Sequence, residues 1–282
     1  MIYYLIASIL IAVAALFART KRAVLAAGIL FYAVQIAAAG LLLWGGLYDT
    51  TSAAFFTFDA LGTLFYLLLV VVSMYVFGHS EAYLQGEDLR SYRLYFALLM
   101  LLTTAIAGAY FANNLAVTWI FLEATTLCSA GIIYHRRTAQ ALEAAWKYVF
   151  VCSTGIAMAY LGILLLAAAT KCETLSYEAV AEAASSGNPL YLKTSFLLIL
   201  SGYSCKLELF PLYTVGIDAN FAAPAPASAL ISTGVVNAGF LALLLFTLVV
   251  ALMSLFLPGR DDEMLRNNPA LYLDVQSWFM LG

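Results

Sequence analysis

Apolar residues fill this chain in long runs that short polar connections separate. Most runs are about 20 residues long, the length that an α-helix needs to cross a bilayer, whereas membrane strands would alternate over about 10 residues. Because backbone polar groups in lipid must be satisfied internally, the pattern predicts an all-α polytopic membrane protein. We expect about eight transmembrane helices, over residues 1–18, 23–47, 56–77, 94–111, 115–134, 141–169, 190–211 and 235–257.

Prolines in the second half of the chain predict a broken helix. Pro211 is expected to end the seventh span, because proline inside a helix removes a hydrogen bond and clashes with the preceding turn. The stretch 221–257 carries no charge and is too long for one crossing. Pro224 and Pro226 therefore indicate a short re-entrant half-helix before the eighth span.

Basic residues concentrate in alternate connections, which predicts the orientation. The first, third and fifth connections carry Arg19, Lys21, Arg22, Arg90, Arg93, Arg136 and Arg137, and the second and fourth carry none. The positive-inside rule places the odd connections in the cytoplasm, with the N-terminus outside the cell inner (plasma) membrane. Since the first basic cluster follows its apolar run, the first span is expected to be a retained helix and not a secretory signal. A short amphipathic helix is expected at residues 176–184.

The composition agrees with a membrane protein and argues against several kinds of site. The chain is 64% hydrophobic and 10% charged, with a mean hydropathy of +0.94, whereas soluble domains carry about 25% charge. A net charge of −3 argues against a nucleic-acid partner. Four cysteines lack metal-ligand spacing, and the two histidines, His79 and His135, lie near polar connections. We therefore expect no cofactor and no metal, and any electron transfer must occur on another subunit.

Glu123 is the central candidate residue, because it lies about 12 Å along the fifth predicted span. A carboxylate at that depth costs about 2.5–3.5 kcal/mol on insertion scales, so it needs a partner or a wet cavity. This position is typical of a proton relay or ion site. A structural hydrogen-bond anchor between helices is the alternative.

Two lysines in later spans are candidate partners of Glu123. Lys206 lies about 20 Å beyond Lys193 along the seventh span, one turn before the predicted helix end, too deep for its ammonium to reach the surface. Lys147 follows Glu143 by one helical turn, so it either forms a local ion pair or tunes the protonation of Glu123.

Three further carboxylates are weaker candidates. Glu208 is two residues from Lys206 and is expected to be either a second site or an interfacial residue. Asp59 and Asp218 are expected near the membrane surface, in capping or loop roles.

The segments around these charges resemble a known family. The resemblance rests on residues 58–62, 119–130, 141–149, 152–156, 206–218 and 223–229. They are similar to the antiporter-like membrane subunits of complex I and related complexes. The runs Glu-Ala-Thr-Thr from Glu123 and Glu-Ala-Ala-Trp-Lys-Tyr from Glu143 most resemble the F subunit of hydrogenase 4, which is associated with membrane-bound nickel–iron hydrogenases.

The resemblance implies roles for individual residues. It makes Glu123 the fifth-helix carboxylate, Lys147 the sixth-helix lysine and Lys206 the broken-helix lysine of a proton relay. Glu143, Glu208, Asp218 and Asn237 are possible accessory residues. Complex I subunits usually have lysine where Asn237 stands, and the hydrogenase branch has asparagine.

The resemblance also implies a function and partners. It indicates a proton-translocating, non-redox membrane subunit of a redox-driven oxidoreductase complex of the hydrogenase-4 type, without a cofactor of its own. The implied partners are the lipid bilayer, other antiporter-like membrane subunits and a hydrogenase or dehydrogenase peripheral arm. The alternatives are a subunit of a Mrp-type cation/proton antiporter and a non-conducting structural remnant.

Three regions follow from the same comparison. Residues 1–91 are expected to form three leading transmembrane helices, and residues 92–257 an antiporter-like helix repeat that contains the broken helix. Residues 258–282 are expected to be the start of a truncated further span. Family members usually contain two inverted repeats, so we expect a truncation, a split gene product or a small paralogue.

Overall fold

The computed structural model describes residues 1–45, 55–172, 174–184, 189–209 and 212–255. Within these ranges the chain is helical, and its only β-pairing consists of two isolated bridges. The helices are α1 Ile2–Leu16, α2 Lys21–Leu43, α3 Ala60–Tyr83, α4 Leu89–Tyr110, α5 Leu115–Ile133, α6 Ala139–Thr170, α7 Tyr177–Ala184, α8 Pro189–Ser204, α9 Tyr213–Ala222, α10 Ala225–Leu230 and α11 Val236–Leu255. The prediction of an all-α membrane fold is confirmed.

Six helical stretches of the described residues are long and apolar enough to cross a membrane. They are α2, α3, α4, α5 with its following turn, α6, and the stretch Ala225–Thr247 that joins α10 to α11. Two expected spans are shorter, since α1 has 15 residues and α8 has 16. The predicted amphipathic helix is present as α7.

Polar side chains determine where several helices begin. Asp59 caps α3 by accepting a hydrogen bond from the backbone N–H of Gly62, which confirms its expected capping role. Asp88 caps α4 by accepting from the N–H groups of Arg90 and Ser91. Because of this cap, α4 begins five residues before the predicted start at residue 94, and the charged connection before it is shorter than expected.

Contacts between connections show that the helices cross the bundle in alternating directions. At one end, Lys21 Nζ donates to the carbonyl of Gln85 at 2.8 Å, and His135 Nε2 lies 2.8 Å from Glu87 Oε2. These bonds join the first, third and fifth connections, and we call this end of the bundle the basic end. At the other end, isolated bridges join Phe56 to Ala112 and Asn114 to Ser176, which brings together the second, fourth and sixth connections.

The broken helix is confirmed, but the break comes earlier than predicted. Helix α8 ends at Ser204 and α9 begins at Tyr213, whereas the sequence suggested an end at Pro211, which lies outside the described residues. The N–H groups of Lys206 and Leu207 share the carbonyl of Tyr203. Glu208 then adopts a left-handed conformation (φ 52°), which a right-handed helix cannot contain.

Consequently Lys206 lies in the turn that follows α8, and the prediction that it lies one turn before the helix end was wrong.

The path after the break also differs from the prediction. The sequence predicted a short half-helix after residue 221 and a last span from residue 235. Instead, the short helix α9 ends at Ala222, before Pro224, and the last span begins at Ala225. Pro226 falls in the first turn of α10, where proline needs no hydrogen bond, so it does not interrupt the helix. A π-helical turn at Ile231–Val235 joins α10 to α11, and the hydroxyl of Tyr110 donates to the carbonyl of Gly234 there. The expected tail at residues 258–282 lies outside the described residues.

Candidate functional site

Helices α6 and α8 approach each other so closely that only glycine fits at their contact. A Cβ atom at Gly155 would lie 2.3 Å from Cys205 Sγ, and one at Gly202 would lie 2.5 Å from the carbonyl oxygen of Gly155. Small residues at membrane helix contacts allow such backbone approach. The contact places the turn after α8, which carries Lys206, directly against α6.

Lys206 is buried at this turn, with 2% of its surface exposed. Its Nζ donates to Thr125 Oγ1 at 3.1 Å and lies 5.5 Å from the ring centroid of Tyr148. On a further side, a Cβ atom at Gly239 of α11 would lie 2.9 Å from Lys206 Cβ. The lysine side chain is therefore enclosed by α5, α6 and α11, and its amine has a hydroxyl and an aromatic ring as neighbours.

Thr125 is suited to accept this hydrogen bond. Its Oγ1 donates its own hydrogen to the carbonyl of Leu122 at 2.7 Å. A hydroxyl has one hydrogen and two lone pairs, so the lone pairs remain for Lys206. Thr125 thus fixes the amine two residues along α5 from Glu123.

Glu123 faces α6 and is held by one hydrogen bond. Ser153 Oγ donates to Glu123 Oε1 at 2.8 Å, and the indole of Trp119, one turn earlier, donates to the carbonyl of Ile156 at 2.9 Å. Glu123 Oε2 is buried and has no hydrogen-bond partner among the described residues. Lys206 lies within electrostatic range of Glu123 without forming a direct ion pair within the described part of the chain.

Lys147 lies elsewhere, on the exposed part of α6 near the basic end. Its Nζ lies 2.7 Å from Glu143 Oε1 and 3.2 Å from Asp218 Oδ2, and about half of its side chain is exposed. The structure does not bring Lys147 into contact with Glu123. Asp218 lies within α9 and not in a loop as expected, because the chain becomes helical again at Tyr213.

The remaining accessory candidates lie near the break. The Glu208 carboxylate packs against α9, where a Cβ atom at Gly216 would lie 2.0 Å from its Cδ. Asn237 lies in the first turn of α11, two residues before Gly239, and is half-buried. The structure therefore places Glu208 and Asn237 beside the segment that carries Lys206.

The sequence did not single out Thr125, Tyr148 or Ser153, which touch the two buried charges. Their hydroxyl groups lie within apolar spans, but hydroxyls there commonly bond to their own helix backbone, as Thr126 does. The buried hydroxyls of Ser129 and Tyr203 lack hydrogen-bond partners among the described residues. The described residues contain no cluster of histidine, cysteine and carboxylate ligands that could hold a metal.

Chemically, the arrangement offers two groups that can each gain or lose a proton. A carboxylate with one unbonded oxygen and an amine held by a neutral hydroxyl both lie away from bulk water. Charge on either group is costly in such a place unless a nearby group of opposite charge compensates it.

Comparisons with known proteins identify relatives of this chain. The hydrogenase-4 component F homolog of Methylacidiphilum infernorum (isolate V4) is 31% identical over 211 residues, which cover 70% of this chain and 44% of the relative. The chain thus spans less than half the length of that relative.

Two solved structures show the same fold. A chain of the archaeal membrane-bound sulfane sulfur reductase superposes with a TM-score of 0.74 and 24% identity, over 89% of this chain and 54% of that one. A chain of the Mrp complex from Dietzia sp. DQ12-45-1b superposes with a TM-score of 0.68 and 18% identity, over 86% and 46%. At these identities the likeness concerns the fold alone.

The family match covers the part of the chain that holds the site. Residues 112–257 match the family described as "NADH:quinone oxidoreductase/Mrp antiporter, TM". That range includes Glu123, Lys147 and Lys206, and it makes up more than half of the chain. The resemblance to antiporter-like subunits is confirmed, and the chain belongs to the NADH:quinone oxidoreductase/Mrp antiporter transmembrane family.

Proposed function

We propose that this chain is a proton-translocating membrane subunit of a redox-driven complex of the hydrogenase-4 type. The observation that carries the proposal is that Glu123 on α5 and Lys206 in the turn after α8 lie within electrostatic range of each other, held by the hydroxyls of Ser153 and Thr125. Intramembrane ionisable groups of this kind are typical of proton relays. The likeness to the hydrogenase-4 component F homolog supports the type of complex.

In the proposed relay, Glu123 and Lys206 exchange protons through an intervening hydrogen-bonded group. When a neighbouring helix moves, the balance between burial and pairing changes, and one group releases a proton while the other takes one up. Lys147 is the third member of the relay. Its pairing with Glu143 and Asp218 holds it where the exposed part of α6 meets α9, so it exchanges protons with the surface.

The proposal includes an orientation and partners. The basic end faces the cytoplasm, the N-terminus lies outside the inner membrane, and residues 92–257 act as one helix repeat beside the leading helices 1–91. Other antiporter-like membrane subunits and a hydrogenase or dehydrogenase arm supply the redox reaction. The relatives are parts of larger membrane assemblies, which supports the proposal of membrane partners.

The decisive experiment measures proton uptake by the assembled complex in liposomes while its redox reaction runs. Glu123→Gln keeps the size of the side chain but removes the titratable group, so we expect proton movement per electron to fall by about tenfold or more. Glu178→Gln, at an exposed position in α7, serves as the matched control. Full proton transport in Glu123→Gln would refute the relay.

A Mrp-type antiporter subunit is the second candidate, because the fold is shared with a chain of a Mrp complex. The two functions differ in what drives the proton. An imposed sodium gradient moves protons without a redox donor in the antiporter, and does not do so in the redox-driven complex. Purified complexes also differ in their partners, which are a hydrogenase or dehydrogenase in one case and only antiporter subunits in the other.

A further inference from the structure

A cavity at the basic end lies outside the proposed relay. It has a volume of about 340 Å³ and lies between the start of α4 and the end of α5. Its lining residues are Arg90, Ser91, Leu94, Gly131, Tyr134, His135 and Arg137. The cavity thus combines basic and hydroxyl groups with apolar side chains at the edge of the apolar part of the bundle.

The guanidinium groups of the two arginines in this cavity have no partner among the described residues. Two other basic groups at the basic end are engaged, since Lys21 bonds to the carbonyl of Gln85 and Arg93 bonds to the carbonyl of Ala18, whereas Arg19 and Arg22 have no side-chain partner among the described residues. Arg90 and Arg137 form neither an ion pair nor a side-chain hydrogen bond within the described part of the chain.

The acidic groups near the cavity are already occupied. Glu87 Oε2 pairs with Nε2 of His135, a lining residue of the cavity, at 2.8 Å. Asp88 accepts the N–H groups at the start of α4, and its hydrogen bonds with Ser91 hold the pKa of this carboxyl below its usual range. Asp88 therefore stays charged but points to the helix start, and the two guanidinium groups remain available to an anion.

The local backbone also positions one of the arginines. Arg137 ends the 3₁₀ turn after α5 with φ 52°, a left-handed conformation that residues other than glycine seldom adopt. Its N–H donates to the carbonyl of Tyr134, so the turn is closed before α6 begins at Ala139. Arg137 thereby lines the same cavity as Arg90, which comes from a helix 47 positions earlier in the chain.

We propose that this cavity binds the phosphodiester group of an anionic phospholipid. Arginine forks match phosphate oxygens in pairs. Leu94 and Tyr134 are partly exposed beside the charges, so they offer apolar contact to the start of an acyl chain, which free phosphate does not need. Basic pockets between membrane helices on the cytoplasmic side are typical sites for such headgroups.

The test uses the full chain in neutral detergent and measures bound ligand by native mass spectrometry. The probes are dioctanoyl phosphatidylglycerol, dioctanoyl phosphatidylcholine and inorganic phosphate. We expect phosphatidylglycerol to bind about tenfold or more tightly than phosphatidylcholine. Each basic side chain near an anionic headgroup contributes on the order of a fivefold change, so R90Q/R137Q should weaken phosphatidylglycerol binding by about tenfold or more.

The control variant R19Q/R22Q removes the same charge from the basic end outside the cavity, and its affinity should change by less than about twofold. R90K/R137K keeps the charge, and with it the folded state, but loses the paired geometry, so its affinity should lie in between.

Equal binding of the two lipids, or unchanged binding in R90Q/R137Q, overturns the proposal. If inorganic phosphate binds as tightly as phosphatidylglycerol and depends on the two arginines, the cavity is a site for a free anion. That outcome also overturns the proposal. If no lipid binds, and R90Q/R137Q loses a partner subunit from the assembled complex, the cavity is a protein contact. This outcome also overturns the proposal.

Discussion

Replacing Thr125 by valine tests whether the hydroxyl that holds Lys206 matters to transport. The two side chains have almost the same shape, so the change removes a polar atom without opening a cavity. Lys206 Nζ loses its acceptor at 3.1 Å and keeps the ring of Tyr148 at 5.5 Å.

The expected magnitude follows from the kind of hydrogen bond. Bonds to charged groups contribute about 1.5–3 kcal/mol, and a cation–π contact that remains contributes about 0.5–2 kcal/mol. Without the hydroxyl, the amine is no longer fixed beside the α5 segment that carries Glu123. We expect proton transport to fall by about tenfold, since each 1.4 kcal/mol corresponds to a factor of ten in an equilibrium.

Thr126→Val is the matched control for this change. Thr126 is the next residue of α5 and is equally buried, but among the described residues its hydroxyl bonds only to the carbonyl of Leu122, at 3.3 Å. The assay is the rate of proton uptake by liposomes that contain the assembled complex, together with the thermal unfolding temperature of each variant. The difference between the two valine variants reports the contact with Lys206 and not the general loss of a buried hydroxyl.

The same pair of variants in a Lys206→Met background completes the cycle. There the two valine changes should lower the unfolding temperature by similar amounts, because the amine is absent. If Thr125→Val and Thr126→Val gave the same transport rate and the same unfolding temperature in the native background, the hydroxyl would not position Lys206, and the reasoning would fail.

Three further changes probe other parts of the site. Ser153→Ala removes the donor to Glu123 Oε1 and should lower proton transport several-fold, whereas Ser153→Thr should restore it; equal rates in both variants would contradict this. Asp218→Asn breaks an exposed ion pair with Lys147, so the unfolding temperature should change little and transport should become less sensitive to salt; a large loss of stability would disagree. Gly155→Leu pushes α8 away from α6 and should destabilise the protein by about 1–3 kcal/mol in unfolding experiments. The control Gly78→Leu places its side chain in open space and should have little effect. Equal effects of the two changes would show that the contact between α6 and α8 is not tight.

The sequence predicted the helices well because long apolar runs leave few alternatives in lipid. It also predicted that Lys206 and Glu123 are removed from bulk water, since position along a span determines depth. The end of α8 was placed at Pro211 because proline is the visible helix breaker. The observed end depends on the left-handed Glu208, which has no comparable signal.

The partners of the buried charges could not be predicted for a related reason. Thr125 and Thr126 are adjacent and identical in type, and only the packing of α8 decides which of them meets Lys206. Likewise, Lys147 had two plausible partners along the sequence, and the position of α9 adds Asp218 as another. These choices depend on contacts between helices far apart in the chain.

The glycine contact between α6 and α8 has a mechanical consequence. Gly155 and Gly202 let the two backbones approach closely, so we expect these helices to move together. Lys206, which follows directly, is then fixed relative to that pair of helices and cannot travel towards Glu123 by sliding. A conformational change that alters the surroundings of Lys206 must therefore displace a neighbouring helix, either α5 with Thr125 or α11 with Gly239. The amine itself stays in place.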